Sequence, residues 1–154
     1  MNEMSLNVLQ AGSFQLVDER GEIIAVLASS PDKRPNLLIF DKNGKPVVSL
    51  GVNASDEPAC TLVAGNNNAT ISLSLNEGQP SLLLTSKDGT PRASLTLITN
   101  DEPVVAFYDR DGKAFRALLG TLTTEALSPG KTGPRTHSSL VFFDEQGNVL
   151  WKAP

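Results

Sequence analysis

The chain has one cysteine, Cys60, and one histidine, His137, in 154 residues, and only 5% of it is aromatic. A lone cysteine excludes an intrachain disulfide, and the apolar neighbours of Cys60 mark it as a buried small hydrophobe. A lone histidine forces every triad and most general-base schemes through a single residue. One cysteine and one histidine also fall short of a zinc site. No enzyme chemistry and no cofactor are therefore expected.

Positive charge is scarce as well. Lys and Arg number 13 against 17 Asp and Glu, a net charge of -4, with no basic stripe anywhere. Nucleic acid and anionic membrane both demand clustered cations, so neither is expected as a partner. No apolar run approaches the roughly 18 residues of a membrane span. The opening MNEMSLNVLQAGS lacks the basic start and long apolar core of a signal peptide, so the compartment reading favours the cytoplasm without fixing it.

The chain is 40% hydrophobic and 19% charged, the composition of one globular domain over residues 1–154. Its strongest organisational signal is internal repetition. The phrase FDKNGKPVVSL, an apolar run, a short polar turn and a second apolar alternation, returns six times. Aligned on the residue that closes the turn, its anchors are Gly21, Gly44, Asn67, Gly89, Gly112 and Gly147, spaced by 23, 23, 22, 23 and 35 residues.

Turn chemistry explains the anchor. In Asp41-Lys42-Asn43-Gly44 the Asp side chain caps the turn and Gly stands where the backbone must go left-handed, the signature of a three-residue hairpin loop with a glycine bulge. The turns beginning at Asp18, Asp109 and Asp144 repeat it, and Ser86-Lys87-Asp88-Gly89 keeps all but the leading Asp. In the third copy Asn67 stands for the glycine, being the residue that next best tolerates that backbone region. Seven and five residues before each anchor lie Phe14 and Leu16, Leu37 and Ile39, Cys60 and Leu62, Leu82 and Leu84, Val105 and Phe107, Leu140 and Phe142. Four and six residues after it the positions are apolar too, with the single exception of Arg116. A spacing of two is the strand period, so each copy is predicted to be a β-hairpin with this face turned inward.

Pro-containing linkers, such as Ser30 to Pro35, Asn53 to Pro58, Asn76 to Pro80 and Asn100 to Pro103, join the copies where a ladder donor can be spared. The reading is an all-β chain of six β-hairpin repeats, about twelve short strands, with only Glu3 to Leu9 and Thr124 to Leu127 as brief helical candidates. An insertion over residues 120–138 interrupts the last linker and is expected to be a surface loop. A repetitive stack or prism is the favoured architecture; a β-trefoil and a closed meander barrel are the alternatives.

Positions between the inward ones separate these options. Thr70, Ser72, Ser74, Arg92, Ser94 and Thr96 form an ordinary wet face, but Ile24, Val26, Val47, Phe115 and Leu119 would stand in water. Apolar rows left in water mark partner surfaces. These five are the candidate interface of a homo-oligomer, with a trimer favoured; the competing reading is a monomer whose N-terminal segment and long insertion cover those rows.

Asp109-Arg110-Asp111-Gly112 with Phe107 and Tyr108, followed by alternation of the kind seen in Pro91-Arg92-Ala93-Ser94-Leu95, resembles a class of uncharacterised bacterial β-repeat proteins with D-x-x-G hairpin repeats of about 23 residues. The ending Gly147 to Pro154 is similar to how such chains finish. The resemblance implies the repeat fold and no activity.

The remaining motifs have plainer explanations. Asp109-Arg110-Asp111-Gly112 looks like the start of a calcium loop, but Lys113, Ala114 and Phe115 follow where an acid is wanted. Gly130-Lys131-Thr132 lacks the earlier glycine of a phosphate loop and is followed by Gly133 and Pro134. The sequons Asn53-Ala54-Ser55 and Asn68-Ala69-Thr70 matter only in a glycosylating pathway. Short Ser and Thr rows are too interrupted for an ice-binding face. The expected function is a non-enzymatic structural or protein-interaction module, an oligomeric β scaffold. The alternative is a small-ligand module for carbohydrate, read by Trp151, Tyr108 or a Phe.

Overall fold

The computed structural model describes residues 10–98, 101–120 and 139–153. Twelve strands follow one another: β1 Ser13–Val17, β2 Ile23–Ser29, β3 Pro35–Phe40, β4 Pro46–Val52, β5 Pro58–Val63 and β6 Thr70–Asn76 make the first three hairpins. β7 Gln79–Thr85, β8 Pro91–Ile98, β9 Glu102–Tyr108, β10 Phe115–Gly120, β11 Ser139–Phe143 and β12 Val149–Ala153 make the other three. Among the described residues there is no helix; Glu3 to Leu9 and Thr124 to Leu127 lie outside them.

All twelve strands form one antiparallel sheet in the order of the chain, β1 through β12. Each strand touches only its neighbours in that order, and β1 does not meet β12. The hairpins thus stack in one open layer. This corrects both alternative architectures: a barrel needs the first and last strands paired, and a trefoil needs hairpins from distant lobes to close on one another. All six hairpins and four of the five linkers are short, the exception being the connection from Gly120 to Ser139, so sequential pairing costs the least loop-closure entropy.

The D-x-x-G turns form as their chemistry dictates. Asp41 Oδ1 accepts the backbone N–H groups of Asn43 and Lys45, both at 2.9 Å, and Gly44 donates to the Asp41 carbonyl at 3.0 Å with a φ of 73°. Asp18 and Asp144 do the same, and Gly21, Gly89, Gly112 and Gly147 are left-handed like Gly44. The third turn differs from expectation. Asn68, not Asn67, carries the positive φ of 62°, while the Asn67 side chain accepts the N–H of Ala69. The turn is one residue longer there, running from Ala64 N–H to Ala69 carbonyl, which moves the corner along by one.

The first two linkers reuse the same design without glycine. Asn53 Oδ1 takes the N–H groups of Ser55 and Glu57, and Asp56 supplies the left-handed corner at φ 60°. Lys33 does so after Ser30. Asn76 and Gln79 pair across a two-residue turn in which Glu77 and Gly78 both have positive φ, the hairpin turn that matches strand twist.

Candidate functional site

Residues directly opposed in an antiparallel pair share a face, so the register defines two surfaces. On one, Leu16, Ala25, Ile39, Val48, Leu62, Ile71, Leu84, Ala93, Phe107, Ala117, Phe142 and Trp151 form a continuous row across the sheet. Two residues along, Phe14, Leu27, Leu37, Leu50, Cys60, Leu73, Leu82, Leu95, Val105, Leu119, Leu140 and Ala153 form a second. A shorter third row holds Val52, Pro58, Leu75, Pro80, Leu97 and Pro103. Not one charged side chain stands in these rows.

This surface is the face that the strand alternation marks as inward, and the structure reverses that expectation. Leu16 is 60% exposed, Leu73 55% and Leu50 50%. The buried cluster, Val104, Ala106, Leu118, Val141 and Phe143, belongs to the opposite face at β9–β11, where the Ser94 hydroxyl meets the Tyr108 hydroxyl at 3.1 Å. Alternation shows which side is apolar, but burying it takes a second layer. The strands supply none.

Exposure on the apolar face is itself ordered. On the odd strands Leu16, Ile39, Leu62, Leu84, Phe107 and Phe142 protrude from the first row; on the even strands Leu27, Leu50, Leu73, Leu95 and Leu119 protrude from the second. Large apolar side chains thus rise in a zigzag, from β1 to β11, between two rows about 7 Å apart, with Phe14 and Ile71 exposed in addition on β1 and β6. An apolar groove of 560 Å3 opens beside it across β4 to β8, with Cys60, half-buried, among its walls.

Of the five sequence-chosen interface residues, Ile24 and Val47 are bulge residues, the unpaired extra residue beside the turns. Val26 lies on the face opposite the ladder, as does Phe115, which packs against Tyr108 at 5.3 Å and Phe143 at 6.5 Å between ring centres. Leu119 alone joins the exposed ladder. The fifth turn explains the change: it closes from Asp109 N–H to Ala114 carbonyl, one residue longer than the Asp41 to Lys45 turn. That extra residue sets Ala117 and Leu119 in the apolar rows and leaves Arg116, the one polar exception of the repeat, as the bulge residue.

Polar side chains at the turn ends are occupied in joining each hairpin to the next. Arg34 Nε reaches Asp56 at 3.0 Å and its Nη2 donates to the Ala54 carbonyl at 3.2 Å. Lys45 Nζ donates to the Gly65 carbonyl at 3.3 Å and to Asn68. Arg92 donates to the carbonyls of Asp109 and Arg110, at 2.9 and 2.6 Å, and Arg116 lies 3.5 Å from Glu145. No sequence signal short of the register points to these contacts.

The carboxylates do turn work too. The backbone N–H of Lys45 holds the Asp41 carboxyl below the usual range, and Asn148 does so for Asp144. The Ser86 hydroxyl and Thr90 press Asp88 down further. Asp109 accepts the N–H of Lys113 at 2.9 Å, as a cap rather than as one arm of a calcium cage. Among the described residues no three His, Cys, Asp or Glu side chains gather as a metal site would require, and none of them forms a helix long and apolar enough to cross a membrane. His137 and Gly130-Lys131-Thr132 lie outside the described residues. The chain matches no protein-family model and no curated protein.

Proposed function

We propose that the chain is a non-enzymatic oligomeric β scaffold whose copies bury one another's apolar face, with three copies favoured. The observation that carries this reading is the ladder of exposed leucine-sized side chains along one side of a single-layer sheet. Twelve strands at about 4.8 Å spacing and about 20 Å long present roughly 1,000 Å2. A stable interface needs about 800 Å2 per partner, so the face is large enough, and it is far more apolar than a monomer's surface tolerates.

A copy of the same chain is the fitting occupant. Knobs recur with the period of the hairpin, and a matching set of gaps recurs with that period only on a surface built from the same repeat. The turn carboxylates act as caps and the turn cations as cross-links, which supports a structural rather than a chemical role. Light scattering with multi-angle detection tests the proposal: a mass near three times 16.4 kDa is expected, and a monomer at micromolar concentration overturns it.

One observation favours carbohydrate binding as a second reading. Trp151 is 51% exposed and its ring lies 5.8 Å from that of Phe142, an aromatic pair on which a sugar face could stack. Titration of the single tryptophan's fluorescence with a sugar panel tests it, and silence against every sugar removes it.

A further inference from the structure

We propose that three chains wind, parallel and with strands at matching heights, around one axis that runs along the stack of hairpins, each turning its ladder of exposed leucines to that axis. This arrangement rests on the self-association argued above and goes further by specifying its geometry.

Sheet twist is the first reason. The sheet is a single layer whose strands pair only in sequence. Neighbouring strands in such sheets rotate by about 20°, so from β1 to β12 the outward direction of the apolar face turns by roughly 200° around the stack. A flat partner, or one of different pitch, meets that face over a few strands and then loses it. A chain related by rotation about the stacking axis keeps contact at every strand, since symmetry gives it the same pitch and phase.

The shape of the face is the second. Its large protruding side chains, as at Leu50, Leu62 and Leu73, occupy the two central rows, while in the third row Leu75 and Leu97 are half-buried and only the compact prolines, Pro58, Pro80 and Pro103, are exposed. A ridge along the midline suits a triangular core, where the middle of each wall points at the axis. Dimensions agree. Strands of five to eight residues make walls from about 17 Å wide. The axis of a three-sided prism with 17 Å walls lies about 5 Å from each wall, half of the roughly 10 Å at which leucine-sized side chains fill the space between packed sheets. Closed three-fold symmetry about that axis admits only the parallel arrangement.

Crosslinking of the full-length chain tests this. In a C60S background, Leu27→Cys on β2 and Leu119→Cys on β10 mark the two ends of the ladder. The two proteins, one carrying a size tag, are mixed, unfolded and refolded together, checked for native circular dichroism, and treated with a short bis-maleimide. The expected result is a three-chain mass, with L27C chains linked to L27C chains, L119C chains to L119C chains, and no L27C–L119C product. Should either cysteine variant fail to refold, Leu16→Cys on β1 and Phe142→Cys on β11, both exposed on the same face, replace them in the same mixing experiment. An L27C–L119C product or a two-chain mass overturns the arrangement while leaving self-association standing; a monomeric mass overturns both.

Discussion

The Glu57 carboxylate accepts the backbone N–H of Gly78 at 2.6 Å and of Glu77 at 3.1 Å, so a side chain from one linker turn closes the left-handed corner of the next. In a sheet to which the described residues add no second layer, such stitches hold each hairpin to its neighbour. Replacing Glu57 by Ala is expected to cost about 1 kcal/mol, the usual net worth of such bonds in an exposed setting. Urea denaturation measures it, and E57Q, which keeps one acceptor oxygen, should fall between the two.

Two glycines with the same backbone need should differ in cost. Gly44 and Gly112 both have positive φ, so alanine at either carries a penalty of about 1 kcal/mol or more. At Gly44 an added Cβ meets open space, whereas at Gly112 it comes within 2.5 Å of Thr90 Cγ2 and 3.1 Å of Pro91 Cδ. G112A should therefore be clearly less stable than G44A by thermal melting. Equal losses would mean that the fifth turn is not seated against the fourth.

Leu73→Glu probes the apolar face. In an isolated chain Leu73 is 55% exposed, and a charge at such a site costs within about 0.5 kcal/mol. Inside an assembly the same charge is buried without a partner and costs several kcal/mol. L73E is expected to give a folded chain of lower mass by sedimentation, with unchanged circular dichroism. Retention of the wild-type mass would place the interface elsewhere.

Acid should loosen the turns. The folded-state pKa of Asp41 is lowered by the N–H of Lys45, and that of Asp144 by Asn148. A carboxyl with a depressed folded pKa contributes stability that is full above its unfolded value, about 3.9, and is lost as pH falls through the folded value. The urea midpoint should thus drop between about pH 5 and about pH 2. Asp41→Asn keeps an amide oxygen to cap the turn but cannot titrate there, so its midpoint should fall less steeply over that range.

Much of the fold is legible in the sequence because its signals are local. Asp followed three residues later by Gly sets a turn through a side-chain cap and a left-handed corner, and a period of two sets the strands on either side. Six such units, all but the last two joined by short connections, leave sequential pairing as the easiest solution. Asn68 taking the corner from Asn67, and Ala117 taking the row from Arg116, escaped because a single added turn residue changes register without changing composition.

The sequence by itself determined the hairpins, their number and the side of each strand that is apolar, since these follow from backbone preference and alternation within a few residues. Only the tertiary structure decided that none of the described residues of the same chain covers the apolar side. Burial is a property of layers, and whether a second layer exists depends on where all twelve strands go, which no local pattern encodes.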